Sequence, residues 1–486
     1  MEGTWVKDIH IKNNYGIKTR DFMLDNIVIF IFLAFVVFGF VVSETFTVSS
    51  FTNDIMARFF RNGVLVLSLI IPVMAGLGLN FGIVVGALAG LLSIIFVRYH
   101  YTLFPGIGGL MLCFIIAAPL AILFGYLTGK LYNKTRGQEM IAGLIVSFFA
   151  QGVYMILLLF VVGGIIPVRW GHRMIIPAPT GSRAMGVRAS FEMGLPLEEM
   201  TGRGFQDNVP GMARALNNVW RVEFVYALAA ASVLAFIFLI IRRVYMSKNR
   251  AFAIAVNEKF WAFCVKLALC AVVVVFAFYS SAQIYYWYNV LQNTPDINRL
   301  DHLPGISTFA VEISNIDPVP VVTALVIAAV GLFIVYFTKT KLGQDCRSVG
   351  QSQQIANVSG INVDRTRIIA TIFSTVLAAW GMIIFVQDIG HVSTYTQSNT
   401  IGFFSVAAIL VGGATAAKAS VKNAMLGLIL FHAMFIVSPA VGMFLFDDGN
   451  AGEYMRTFMV YGVIGVSLGL YVWKANKAAK DKERLR

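Results

Sequence analysis

The chain is poor in charge for its length. Of 486 residues only 13% are Asp, Glu, Lys or Arg, while 58% are hydrophobic and the mean hydropathy is +0.75. A soluble domain carries about 25% charged residues. A chain this long could bury a sizeable core in water, but it would still need a polar surface, and too few polar residues are present to make one. Lipid must be the solvent for much of it. The 40 Phe and 43 Gly suit that class, because glycine lets membrane helices approach closely.

Cysteine is also scarce. Cys113, Cys264 and Cys270 lie in apolar spans and Cys346 in a polar stretch. None sits in a long external loop or a CxxC pair, so no disulfide framework and no zinc or other metal site is indicated. A phosphate-binding GxxxxGK[ST] is missing: GYLTGK at 125–130 has the wrong spacing and is followed by Leu131. Energy must then come from an ion gradient, from a partner ATPase, or from nowhere, as in a channel. Hydrolytic signatures (GxSxG, HExxH, paired carboxylates) are missing too, so the chain reads as a non-enzyme with no catalytic residues.

Ionisable groups inside the apolar spans are few. Lys266 sits a turn inside one and can snorkel. Glu139 begins another, as a cap or loop contact. Asp388 and His391 fall at a span end, where water solvates them. His432 has no obvious carboxylate partner and reads as helix glue. No spaced acidic relay emerges, which counts against a proton or sodium symporter. The net charge of +13 does not point to nucleic acid, because the basic residues lie in loops between spans.

Those apolar runs define the fold class: an all-α, polytopic transmembrane helix bundle. A spanning helix needs about 20 mainly apolar residues. Twelve segments qualify (10–12 if some are broken or re-entrant): 27–43, 63–79, 82–97, 106–129, 139–163, 224–243, 260–283, 319–338, 367–388, 401–417, 423–443 and 455–473. Lys and Arg mark loops near 130–136, 242–259, 339–367 and 418–422, and the tail KANKAAKDKERLR. All fall on one side if twelve segments cross, which makes that side cytoplasmic and both termini internal. The expected organisation is a cytoplasmic segment 1–26, a membrane domain 27–473 and a basic tail 474–486. Loops 164–223 and 284–318 lie outside, and loop 339–366 inside. The outer loops exceed ordinary connection lengths, consistent with external docking or with simple packing on the outer face.

The inner loop GQDCRSVGQSQQIANVSGINVDRTR (343–367) is the most polar stretch between two apolar runs. On its own it could be a solvated loop whose charges set topology. It resembles, however, the cytoplasmic loop of bacterial ABC-importer permeases of the branched-chain amino acid, ribose and nucleoside superfamily, G-x-x-x-R-A-V-G-x-N-x-x-A-A-x-x-x-G-I. Gly343, Arg347, Val349, Gly350, Ala356, Gly360 and Ile361 match in register, while Ser348, Ser352, Gln353 and Ile355 depart. Three further segments are similar to the family. These are 402–435 (Gly402, Phe403, Ala407, Gly412, Gly413, Gly427, with Lys418 and Lys422 departing), 76–90 (Gly78, Asn80, Phe81, Gly86, Ala87) and 137–151 (Glu139, Ile141, Ala150). The resemblance leaves out 165–320.

This resemblance implies an inner-membrane permease subunit for a nucleoside or simple sugar, with branched-chain amino acids or another small solute as alternatives. It implies a second permease subunit (homo- or heterodimer), a separate ATPase that uses the ATP, and an extracytoplasmic binding protein or lipoprotein. No cofactor of the chain's own is implied. An ion-coupled secondary transporter is the alternative of another class. Val349, Ile355, Ala356 and Val358 would offer the ATPase an apolar surface, Arg347 would pair with an acidic or carbonyl-rich groove, and Gly343, Gly350 and Gly360 would supply turns. Gly76, Gly78, Asn80 and Gly82 would break one apolar run near mid-membrane, and Gly412 and Gly413 another. Candidate liners of the translocation path are Asn80, Ser147, Gln151, Gln387, Phe403 and Phe404, each of which could equally be ordinary packing.

Overall fold

A computed structural model describes residues 27–42, 47–100, 106–162, 165, 195–197, 212–248, 260–293, 312–313, 315–393, 395, 397–415, 418–448, 450–462, 465–466 and 469. The expected terminal segments 1–26 and 474–486, and most of loops 164–223 and 284–318, lie outside the described residues.

The protein is an all-α, multi-pass membrane protein. Its helices are α1 (Ile27–Val42), α2 (Val48–Ser68), α3 (Ile70–Met74), α4 (Ile83–Tyr99), α5 (Gly106–Lys134) and α6 (Glu139–Ile156, continued by a π turn Leu157–Val161). They continue as α7 (Phe224–Lys248), α8 (Phe260–Asn293), α9 (Val321–Phe337), α10 (Lys341–Gln351), α11 (Gln353–Val358), α12 (Val363–Ile389), α13 (Gln397–Val411) and α14 (Val421–Phe446), with further helix at 450–462. Every one of the twelve apolar segments overlaps a helix. Among the described residues seven helices are long and apolar enough to cross a membrane, and α9 with α10 makes an eighth candidate bent by 73°. Boundaries differ in places. α8 runs on to Asn293, so 284–293 is helix rather than loop, and α2 begins at Val48 rather than at 63.

The chain divides into two compact units. The larger comprises 1–44, 57–218 and 322–486. At its centre α12 packs on α4 and α5. Lipid tails are as apolar as leucine, so burial of apolar surface does not drive helices together in a membrane; close packing does. The seam is built for it. Gly86 and Gly90 on α4 abut Thr375, Ala379 and Met382, and Gly125 and Gly129 on α5 abut Ile372 and Ile368. A Cβ on Gly86 would lie 2.9 Å from that of Ala378. Hydrogen bonds cross the same seam: Thr375 Oγ1 donates to the Ala121 carbonyl (3.0 Å) and Trp380 Nε1 to that of Phe114 (3.2 Å). A second close pair joins α13 to α14, where Gly412 and Gly427 meet the other helix's backbone.

α12 starts at an Asn362 cap, whose Oδ1 accepts from the Arg365 N–H (2.9 Å), and stops at left-handed Gly390. Beyond it, Leu195–Pro196 pairs antiparallel with His391–Val392, and the Arg214 N–H donates to the Gln387 carbonyl (2.6 Å). Residues 195–197 and 212–216 thus fold onto the end of α12.

The smaller unit comprises 45–56 and 219–321. In it α7 packs on α8, and Val225, Ala277, Ile313 and Ile316 form a small core with Met56, Phe224, Ala229 and Phe276 around it.

Candidate functional site: the α10–α11 elbow and the break it rests on

The polar stretch folds into two short helices bent sharply off α9. Thr340 caps α10, accepting from the Gly343 N–H (3.3 Å), and Ser352 caps α11, accepting from the Ile355 N–H (3.3 Å). One face is buried: Cys346, Val349 and Ala356, with Val363 and Ile361 packed alongside. The opposite side exposes Arg347, Gln351, Gln354, Ile355 and Val358, the last two at 69% and 91%. The apolar surface expected of Val349, Ile355, Ala356 and Val358 therefore splits. Val349 and Ala356 pack with Val363 on the buried face, while on α11 helical spacing turns Ile355 and Val358 away from Ala356. Beside α11 lies an open polar groove of about 760 Å³, lined in part by Arg136, Gln353, Gln354, Asn357 and Asp364.

The expected roles of the glycines also need correction. Gly360 does turn the chain, at φ +80°. Gly343 and Gly350, however, lie within α10 and serve close approach. Gly343 touches the backbone of Phe337 and Thr338, and Gly350 touches that of Met74 and Gly76.

That last contact locates the broken backbone. Between α3 and α4 residues 75–82 are not helical, with Gly76 and Gly78 at φ +71° and +67°. A Cβ on Gly76 would lie 2.9 Å from Gly350 Cα. The break is therefore packed against α10.

Asn80 holds the break. Its Oδ1 accepts from the Tyr132 hydroxyl (2.7 Å) and the Gly82 N–H (3.0 Å), and its Nδ2 donates to Ser374 Oγ (3.2 Å). The Gly82 N–H also reaches the Tyr132 hydroxyl (3.2 Å). Gly82 and Gly143 leave room for that hydroxyl, since a Cβ on Gly143 would lie 2.7 Å from it. Close by, Arg367 on α12 is wholly buried. Its Nη2 pairs with Glu139 at the start of α6 and donates to the Tyr132 carbonyl (3.3 Å), while Nε and Nη1 are buried with no hydrogen-bond partner among the described residues. Glu139 sits at the helix N-terminus, where a carboxylate is favoured. Outside this pair, Arg136 pairs with Asp364 at the exposed rim.

The six candidate liners separate into three places. Asn80, Ser147, Gln151 and Phe403 share the region where α4, α6 and α13 meet. Ser147 Oγ donates to the Phe81 carbonyl (2.7 Å), Gln151 bonds Ser398 and the Tyr395 carbonyl, and Phe403 contacts Phe81 with ring centroids 5.6 Å apart. Gln387 lies with Asn217 (3.1 Å) near the end of α12. Phe404 packs on Phe431 and Phe435 of α14. Asn80, Ser147, Gln151 and Gln387 are buried and hydrogen-bonded internally.

Asp388 is not simply solvated. It takes a hydrogen bond from Arg61 Nε (2.6 Å) and another from Asn217 Nδ2 (2.7 Å). His432 is buried, and its Nδ1 has no hydrogen-bond partner among the described residues. Arg61, Tyr132 and Arg367 do not stand out as site residues in the sequence. Arg61 was lost because hydropathy alone starts its span at 63. Arg367 looked like one more loop charge, yet it stands at the head of an apolar run while Glu139 stands at the head of another on the same side. That opposition was the available signal.

A family model described as branched-chain amino acid transport system / permease component matches residues 184–468, including the 184–320 region that the motif resemblance leaves out. The xylose transport system permease protein XylH of Haemophilus influenzae is 32% identical over 158 residues, which is 32% of this chain and 38% of that protein. The nucleoside ABC transporter permease protein NupB of Lactococcus lactis is 26% identical over 172 residues (32% of this chain, 44% of that protein). NupC of the same organism, also named a nucleoside ABC transporter permease protein, is 32% identical over 166 residues (33% and 45%). The match spans less than half the length of each relative. No solved structure matches. With more than half its residues matched by the family model, and with the glycine framework of 343–361 forming a discrete helical elbow against the bundle, this chain belongs to the branched-chain amino acid transport system permease family.

Proposed function

We propose that the chain is the membrane permease subunit of a bacterial inner-membrane ABC importer, moving a nucleoside or simple sugar handed over by an extracytoplasmic binding protein or lipoprotein. Its motor is a separate ATPase, and it acts with a second permease subunit, identical or related. The observation that carries this reading is the elbow: two short capped helices outside the apolar bundle, with Ile355 and Val358 exposed on one side and the backbone break buried under the other. A passive loop has no reason to hold Ile355 and Val358 exposed on one short helix while Gly350 of the adjoining helix packs on the backbone of Met74 and Gly76.

In mechanism, the ATPase grips Ile355, Val358 and Arg347. Gly343, Val349, Gly350, Ala356 and Ile361 hand the motion to Gly76 and to the head of α12. The solute passes along the region between α4, α6 and α13, where Phe403 and Phe148 present rings 6.3 Å apart. Contacts there need only be weak, because the binding protein supplies the affinity.

The test is reconstitution in proteoliposomes with a candidate partner ATPase and binding protein. Labelled nucleoside or pentose should accumulate with ATP and stop without the ATPase. Uptake that persists without it and follows an ion gradient would establish the secondary-transporter alternative. Uptake of branched-chain amino acids but of neither proposed class would correct the substrate.

A further inference from the structure

We infer that Arg367 and Glu139 form a charged latch that closes the inner end of the permease and opens when the elbow is pulled, a role that rests on the importer reading above. Four observations lead to it.

First, α6 and α12 each pack on α4 and α5 but have little direct packing on one another among the described residues, so the ion pair is a direct link between them. Second, the linkage reaches both working parts. The head of α12 is bound to the elbow through Val363, which packs with Val349 and Ala356. α6 is bound to the break through Ser147, whose hydroxyl donates to the Phe81 carbonyl. Third, Arg367 also holds the Tyr132 carbonyl, and the Tyr132 hydroxyl holds Asn80 and Gly82 at the break. Moving the head of α12 therefore strains the ion pair and the break together.

Fourth, the guanidinium is under-used. It offers five N–H donors, yet among the described residues Nε and Nη1 are buried without partners while Nη2 makes both contacts. Buried polar groups are ordinarily satisfied, and a buried charge more than most. A cation held by one nitrogen is poised between two arrangements. In the second, the spread of α6 from α12 admits water to the idle donors and to Glu139, which is already 11% exposed. The latch thus makes the closed state bistable, as a switching element needs.

The experiment uses the full chain in inside-out membrane vesicles. Cys113, Cys264, Cys270 and Cys346 are replaced by serine, and Ala142→Cys, buried one turn above Glu139, serves as the probe. A membrane-impermeant maleimide should modify it slowly with the latch intact. Glu139→Gln with Arg367→Gln removes both charges without leaving one stranded, and should speed modification by about tenfold, within the usual range of such couplings. Arg367→Lys, which keeps the charge but loses the fork, should give an intermediate rate. Unchanged modification in the neutral pair, or in Arg367→Lys alone if the neutral pair does not fold, overturns the latch. The partner ATPase is read separately. Faster labelling together with raised ATP hydrolysis in the absence of solute supports both latch and importer. Faster labelling with an ATPase that neither binds nor responds keeps the latch and removes the importer reading.

Discussion

Two regions of similar greasiness behave in opposite ways. In α12, 61% of the spanning window is buried inside the protein, whereas in α7 only 6% is. Both are long, apolar and free of interior proline. The difference lies in small residues at helical spacing. Gly86 and Gly90, and Gly125 and Gly129, open grooves that admit the backbone of α12. α7 and α8 present Leu234, Phe238, Ile241, Leu269, Val275 and Phe278 outward instead. In lipid the second arrangement costs little, because leaving an apolar side chain uncovered by protein is not penalised there as it is in water. Apolarity puts a helix in the membrane; shape decides whether it becomes core.

The contrast can be tested with matched substitutions, one buried and one exposed. The largest effect is expected at the inner ion pairs. Arg367→Ala strands Glu139 and should destabilise the detergent-solubilised protein by about 3–5 kcal/mol, whereas Arg136→Ala at the exposed rim should cost about 0–1 kcal/mol. Thermal unfolding followed by size-exclusion chromatography measures both, and equal losses would mean that Arg367 is not a buried partner of Glu139. Next is packing. Gly86→Leu must push α12 away and should cost about 1–3 kcal/mol or more, while Ala230→Leu, exposed on α7, should stay within about 0.5 kcal/mol.

A smaller stability effect, but a large functional one, is expected on the elbow. Val358→Asp should leave the melting profile unchanged and abolish co-purification of the partner ATPase. Val349→Asp should instead lower the yield of folded protein, because its side chain lies on the buried face. ATPase capture by Val358→Asp at the parental level would remove Val358 from the gripping surface. The smallest effect concerns thiols. Burial, reinforced by neighbouring Asp345, pushes the Cys346 thiol up to about 12. Thiolate is then nearly absent at neutral pH, and Cys346 should resist iodoacetamide in the folded protein while exposed Cys264 reacts with any reagent that enters the membrane. Rapid loss of both thiols would contradict the buried face of α10.

The sequence by itself determined the class of environment and the order of the helices, because scarcity of charge and length of apolar runs are properties of a chain before it folds. It also singled out 343–361 as a unit, since Gly343, Arg347, Gly350, Ala356 and Gly360 stand in register with a family pattern. It could not divide that unit into an inner and an outer face. Val349 and Val358 are the same residue type, and only the bend after α9 and the approach of Gly76 to Gly350 decide which one is covered. Nor could it tell a solvated arginine from a buried one. Arg365 and Arg367 are two positions apart, and the turn of α12 leaves one exposed and drives the other beneath Tyr132 and Glu139. Charge and periodicity are local and can be read along the chain. Which charge meets which depends on helices more than 200 residues apart in sequence, as Glu139 and Arg367 are, and that was settled only when the bundle closed.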